Sequence, residues 1–402
     1  MTLKSTVRDL YQHPIGRDFM DKFLLTSSRP AWFYLNPFFK RLPLKIAGWF
    51  MSGVRLEDLL PIINDEFDLP DPLTVPSAPA WWKEDIVYTP AGVMDNMDYI
   101  QDLGVTTLLL DGSEIWSTQA HIQILEHDMK LIVELDWTDV GSLQAIMQVW
   151  LERGVHGFSL RGIDFNFYGY QLHKTLKEIR AFLPDSVLLM GVTRGIGPNG
   201  MRLLTDFYRK EFNLVFNLDD SNYAFDSYAL RQFYMSRLNF DNGHGWNSLT
   251  FPNYKNPIKK SPVKEEYQVP LAKMLAVLQF TLRGTPFMQA GDELGSPFDK
   301  KEARKQEIDA NSILSFYRDL IILRKSARAL AYGALTFLDG KKNDCLCYTR
   351  ILSLGGENFY IEVNLSPKAR VSTAPKGAEF VLGNYGTGTG RLRPYEARIY
   401  KH

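Results

Sequence analysis

The sequence predicts an α/β protein: a (β/α)8 barrel, preceded by a helical segment and followed by a C-terminal antiparallel β-sandwich. Three observations carry this. From Trp81 onward, short apolar runs alternate with longer amphipathic ones, the pattern of a parallel sheet with crossover helices. Eight such units can be counted, which closes a barrel rather than an open sheet. From about Gly333 the pattern changes to strand-like runs separated by Gly-rich turns.

The bulk composition agrees with this. A chain of 402 residues has room for two or three domains and a large core. Its formal net charge is zero, which argues against nucleic acid as a partner, because such partners select a basic face. Aromatic residues make up 13%, read here as core rather than as a sugar-stacking surface. Cys345 and Cys347 stand in a C-x-C on an apparent strand, which puts both on one face. Zinc and redox motifs need wider spacing, so buried free thiols are expected, with no metal and no cofactor. The opening MTLKSTVRDL lacks the pattern of a signal peptide, and no apolar run spans a bilayer. A cytoplasmic location is the expectation.

In chain order, residues 1–75 read as a separate helical segment. VRDLYQHPIGRDFMDKFLL has helical spacing through Leu10, Phe19, Phe23 and Leu24. AWFYLNPFFKRLPLKIAGWF is broken by Pro37 and Pro43, so it is not one helix. Lys40, Arg41 and Lys45 among its apolar residues raise membrane-surface contact as a minority reading. A cap packed on the barrel or on another subunit, including a second copy, is preferred, and a membrane surface is not the expected partner. VRLEDLLPIINDEF is a further helix, and a Pro-rich linker runs to about residue 80. The barrel is assigned to residues 81–332. Its strands are placed at 85–88, 106–110, 130–135, 157–160, 186–191, 214–218, 247–251 and 286–290. The β-sandwich is assigned to residues 333–402.

The stretch GVHGFSLRGID, residues 154–164, resembles the second signature of the α-amylase family, glycoside hydrolase family 13, G-x-x-G-F-R-x-D. WWKEDIVY (81–88), GWNSL with NYKNP (245–257), AKML with RGTPFMQAGDELG (272–295) and LRPYEARIY (392–400) resemble further motifs of its oligo-1,6-glucosidase and α-glucosidase branch, in the same order. The resemblance covers about four fifths of the chain and implies the barrel and the C-terminal sandwich. In that family three carboxylates do the work: a nucleophile, an acid/base and a third Asp.

Matched residue by residue, the resemblance places Arg161 at the nucleophile, Val192 at the acid/base and Lys255 at the third Asp. Ser159 stands at the supporting Arg, Tyr254 at the His before the third Asp, and Glu134 and Leu135 at the Asn and His of the strand 3 signature. A guanidinium stays protonated and cannot attack an anomeric carbon. Residues that hold the sugar ring and a nearby calcium are replaced too. The family's long insertion after strand 3 shrinks to DWTDVG (136–141), and its Asp and Tyr after strand 2 have no evident counterpart. Without those walls, water would be poorly excluded.

The resemblance therefore implies a chain that has lost glycosidase catalysis. A non-catalytic scaffold, regulatory or partner subunit linked to carbohydrate metabolism is the expected role. Arg161, Arg194 and Lys255 are expected at the mouth, paired with Glu134, Asp136 or Asp219 in a closed ionic cluster. The alternative is that these cations bind a carbohydrate or an anionic sugar. A third reading is an active glycosidase or α-glucosyl transferase with relocated carboxylates. Glu134, Asp136, Asp164, Asp219, Asp220, Asp292 and Glu293 are the acids near strand ends, and His244 is the histidine nearest the mouth.

Overall fold

A computed structural model describes residues 1–13, 16–17, 19–20, 23–24, 29–51, 55–67, 80–92, 96–116, 119–163, 170–193, 204–205, 211–217, 230–232, 235, 246–251, 263–338, 345–352, 357–386 and 390–401.

Eight parallel strands build one sheet: β1 (Val87–Thr89), β2 (Thr107–Asp111), β3 (Lys130–Asp136), β4 (Gly157–Arg161), β5 (Leu188–Thr193), β6 (Leu214–Asn217), β7 (Ser248–Leu249) and β8 (Thr285–Gln289). Their order is β6-β5-β4-β3-β2-β1-β8-β7, so the first strand pairs with both the second and the last. A parallel bridge from Val215 to Asn247 and a hydrogen bond from Ser248 Oγ to Val215 O bring the ends together. The (β/α)8 barrel expected from the sequence is thus observed, with each strand within a few residues of its expected place.

Strand alternation sorts side chains into two layers. Leu109, Ile132, Leu188, Met190, Leu214 and Phe287 fill the lumen. Their chain neighbours Leu108, Leu131, Val133, Leu189 and Val215 face the helices in the larger outer core. Trp82 and Trp246, which precede β1 and β7, join the lumen cluster and close its lower end. Their burial explains why WWKE and GWNSL flank strands.

The helix Gln268–Thr281 is buried from Leu271 through Thr281, because the barrel lies on one side and the C-terminal sheet on the other. That sheet orders β13 (Glu379–Gly383), β15 (Ala397–Lys401), β11 (Asn358–Asn364), β10 (Cys345–Ile351) and β9 (Ala334–Phe337), all antiparallel. A two-stranded ribbon of β12 (Arg370–Val371) and β14 (Arg391–Leu392) accompanies it. Leu346, Tyr348, Ile361 and Ile399 from this sheet belong to the same core as the barrel's outer layer. Cys345 and Cys347 are free thiols, and burial pushes the Cys345 thiol up to about 12.

The N-terminal segment has a core of its own, built from Val7, Leu10, Tyr34, Phe39, Leu44, Ala47 and Ile63 among others. Thr6 caps Val7–Gln12 in a reciprocal box with Asp9. Pro37 takes the first position of Pro37–Lys40 and Pro43 precedes Leu44–Ala47, so both prolines start helices rather than break them. Leu56–Phe67 lies against the barrel helix Tyr170–Phe182. The Pro-rich linker falls outside the described residues.

Candidate functional site at the barrel mouth

The upper end of the lumen is polar. Asp111, Asp136 and Arg161 are the last residues of β2, β3 and β4. By parity they continue the inward-facing rows Leu109–Asp111, Ile132–Glu134–Asp136 and Ser159–Arg161. The register sets Asp111 beside Glu134, Glu134 beside Ser159, and Asp136 beside Arg161. Two glycines frame β4. Gly157 passes so close to β5 that a Cβ would sit 2.8 Å from the Leu188 Cβ, and Gly162 turns the chain away at φ +79.

Arg161 meets three carboxylates at once. Its Nη2 lies 2.8 Å from Asp111 Oδ2, its Nη1 3.1 Å from Glu134 Oε2, and its Nε donates to Asp136 Oδ1 at 2.9 Å. The planar fork suits this arrangement, since each nitrogen edge takes a separate oxygen. Asp111 is held further by the Ser113 amide and hydroxyl, at 2.8 and 2.6 Å. Burial opposes its charge, but the bonds from Ser113 and Arg161 win and its carboxyl sits below the usual range. Glu134 goes the other way. Burial pushes its carboxyl up, against the pull of Arg161 and of the Ser159 hydroxyl, which donates at 3.3 Å. The neighbouring carboxylates hold Arg161 protonated more firmly than usual, although burial works against it.

The six residues expected to form a mouth cluster fare differently. Arg161, Glu134 and Asp136 come together. Arg194, Asp219 and Lys255 lie outside the described residues, as do Asp164, Asp220, His244 and Tyr254. Val192 sits on β5, one residue before its end and half-buried, on the inward row of Leu188 and Met190. Leu135 points outward into the helix layer. Asp292 is fully buried and accepts a hydrogen bond from the amide of Gln289, the last residue of β8, at 2.8 Å. Glu293 is fully buried in the outer layer, where it accepts hydrogen bonds from Tyr88 Oη, Tyr99 Oη and the Gly291 amide at 2.9, 2.9 and 3.0 Å. A carboxylate so committed is structural.

Asp111 is the member that reading the sequence missed. An Asp ending an apolar run, TLLLD, directly before Gly-Ser, was the available signal. The short path after strand 3 is confirmed: three residues separate Asp136 from the helix Val140–Glu152. A cleft of about 560 Å3 lies elsewhere, among the outer helices, lined by Tyr99, His127, Phe298 and Lys300.

No family model matches the chain. Curated relatives do. An oligo-1,6-glucosidase of Parageobacillus thermoglucosidasius is 23% identical over 377 residues, 64% of this chain and 67% of that protein. A glucan 1,6-alpha-glucosidase of Streptococcus dysgalactiae subsp. equisimilis is 29% identical over 192 residues, 40% of this chain and 36% of that protein. The chain therefore spans about two thirds of the first relative's length and little over one third of the second's. Among solved structures, an isomaltulose synthase from Klebsiella sp. LX3 superposes with a TM-score of 0.69 at 16% identity, over 81% of this chain and 100% of that one. A trehalulose synthase from Pseudomonas mesoacidophila MX-45 superposes with a TM-score of 0.67 at 17% identity, over 81% and 100%. The fold is thus that of an α-amylase-type barrel with a C-terminal β domain. The matches bear out glycoside hydrolase family 13 as the family this chain resembles, on its α-glucosidase-like side.

Proposed function

We propose that this α-glucosidase-like chain no longer hydrolyses glycosides and acts as a scaffold, regulatory or partner subunit linked to carbohydrate metabolism. One observation carries the reading. The end of β4, where the family resemblance implies a nucleophile, holds Arg161 bound to Asp111, Glu134 and Asp136. A retaining glycosidase needs a free carboxylate there to attack and a second to protonate the leaving group. Among the described residues, Asp111, Glu134 and Asp136 at the strand ends all serve the guanidinium. A positive charge at the point of attack would also oppose the oxocarbenium-like transition state. The cluster supplies its own counter-ions, which favours an internal ionic plug over a site for an anionic sugar.

Calorimetric titration of the full chain with isomaltose and with glucose 6-phosphate tests this. Neither sugar should give a saturable heat. Saturable binding of glucose 6-phosphate that Arg161→Ala abolishes would replace the scaffold with an anion sensor. Binding of isomaltose followed by release of glucose would overturn the proposal.

A further inference from the structure

The N-terminal segment leaves its largest aromatic side chains in solvent. Trp32 is 70% exposed, Phe38 76% and Trp49 79%, while the next most exposed Trp or Phe among the described residues, Trp116, is 42% exposed. Leu35 and Ile46, three residues from Trp32 and Trp49, are exposed as well. These are not leftovers of a poor core. The same helices bury Tyr34, Phe39, Leu44 and Ala47 completely or nearly so. The segment meets the barrel through a different helix, Leu56–Phe67. The Phe33 and Phe50 rings touch, 6.1 Å between centroids, so the elements carrying Trp32 and Trp49 adjoin.

The charge of this stretch is one-sided. Residues 29–51 contain Arg29, Lys40, Arg41 and Lys45 and no Asp or Glu, in a chain whose net charge is zero. Arg41 and Lys45 are exposed. Among the described residues no helix is long and apolar enough to cross a membrane. We propose that residues 29–50 form a docking face for an anionic lipid surface, with Trp32, Phe38 and Trp49 entering the headgroup region and the cations meeting lipid phosphates. Aromatic anchors flanked by Lys and Arg on short amphipathic helices are what interfacial binding requires. The sequence alone favoured a cap on the barrel or a second subunit. The separate core and the outward aromatics change that balance. A two-fold contact with a second copy would set this all-cationic face against itself.

The test is flotation of the full chain with vesicles. One set is phosphatidylcholine alone and the other an equal mixture of phosphatidylcholine and phosphatidylglycerol. The protein should float with the mixed vesicles, several-fold less with the neutral ones, and less as salt is raised. Arg41→Glu with Lys45→Glu should cut binding to the mixed vesicles at least about tenfold. Trp32→Ser with Phe38→Ser and Trp49→Ser should abolish it, and because these side chains are exposed the melting curve should hold. No flotation with mixed vesicles would overturn the proposal, as would variants that bind like the parent. A concentration-dependent dimer, lost in the triple variant, with no vesicle binding would assign the face to a second copy instead.

Discussion

Arg161 sits among three carboxylates, so removing it does more than break one pair. Asp111, Glu134 and Asp136 would be left close together without the guanidinium they share, and two of them are mostly buried. The Asp136 contact is largely exposed and contributes little. Arg161→Ala should therefore cost about 1–3 kcal/mol, between the values for exposed and buried pairs. Urea titration of both proteins at neutral pH measures it.

Glu293 gives a pH signature at the same scale. Burial pushes its carboxyl up, against the hydrogen bonds from Tyr88, Tyr99 and Gly291. The folded chain then keeps that proton to higher pH than the unfolded chain. Its contribution is full below the unfolded carboxylate value and is lost as pH rises through the folded one. Glu293→Gln removes this titration. The variant's stability relative to the parent should rise with pH across that window, which melting temperatures along a pH series would show.

At the scale of elements, strands were the most legible features. Runs such as KLIVEL and SVLLMG, buried on both faces, have few other readings. Pro37 and Pro43 also showed that residues 31–50 are not one helix, as observed, though not that each proline starts a helix. Pairing geometry was less visible. Asp111 is 23 residues from Glu134 and 50 from Arg161 in sequence, and only the parallel pairing of β2 with β3 and of β3 with β4 brings them together. Local pattern does not carry that. Gly157 shows how tightly the wall is set. A methyl group there would press on Leu188 and on the Leu188 carbonyl of the neighbouring strand. Gly157→Ala should cost about 1–3 kcal/mol, read as a lower urea midpoint. An unchanged midpoint would mean that β4 and β5 pack more loosely than described.

Taken whole, barrel and C-terminal sheet share one core, although their sequence patterns divide cleanly near Gly333. Arg350 on β10 shows why. It is fully buried and donates to the carbonyls of Ala331 and Gly333 and to that of Thr281 on the barrel helix. Tyr348 Oη lies 2.6 Å from Thr281 Oγ1, and Asn384 Nδ2 donates to Pro270 O at 2.8 Å. Arg350→Ala would strand several buried carbonyls, each costing about 1–3 kcal/mol. The variant should lose at least about 3 kcal/mol and still unfold in a single calorimetric transition. Two separated transitions in the parent would contradict a shared core.

The central claim is that the ionic plug at the mouth stands where glycosidase chemistry would be. Hydrolysis of a chromogenic α-glucoside by the purified chain, with Arg161→Ala beside it, tests this most directly. The account predicts no turnover above the buffer rate in either protein. Turnover in the parent that co-purifies with it and is separable from contaminating glucosidases would contradict the account, and would move the search for the nucleophile to Glu134, Asp164 and Asp219.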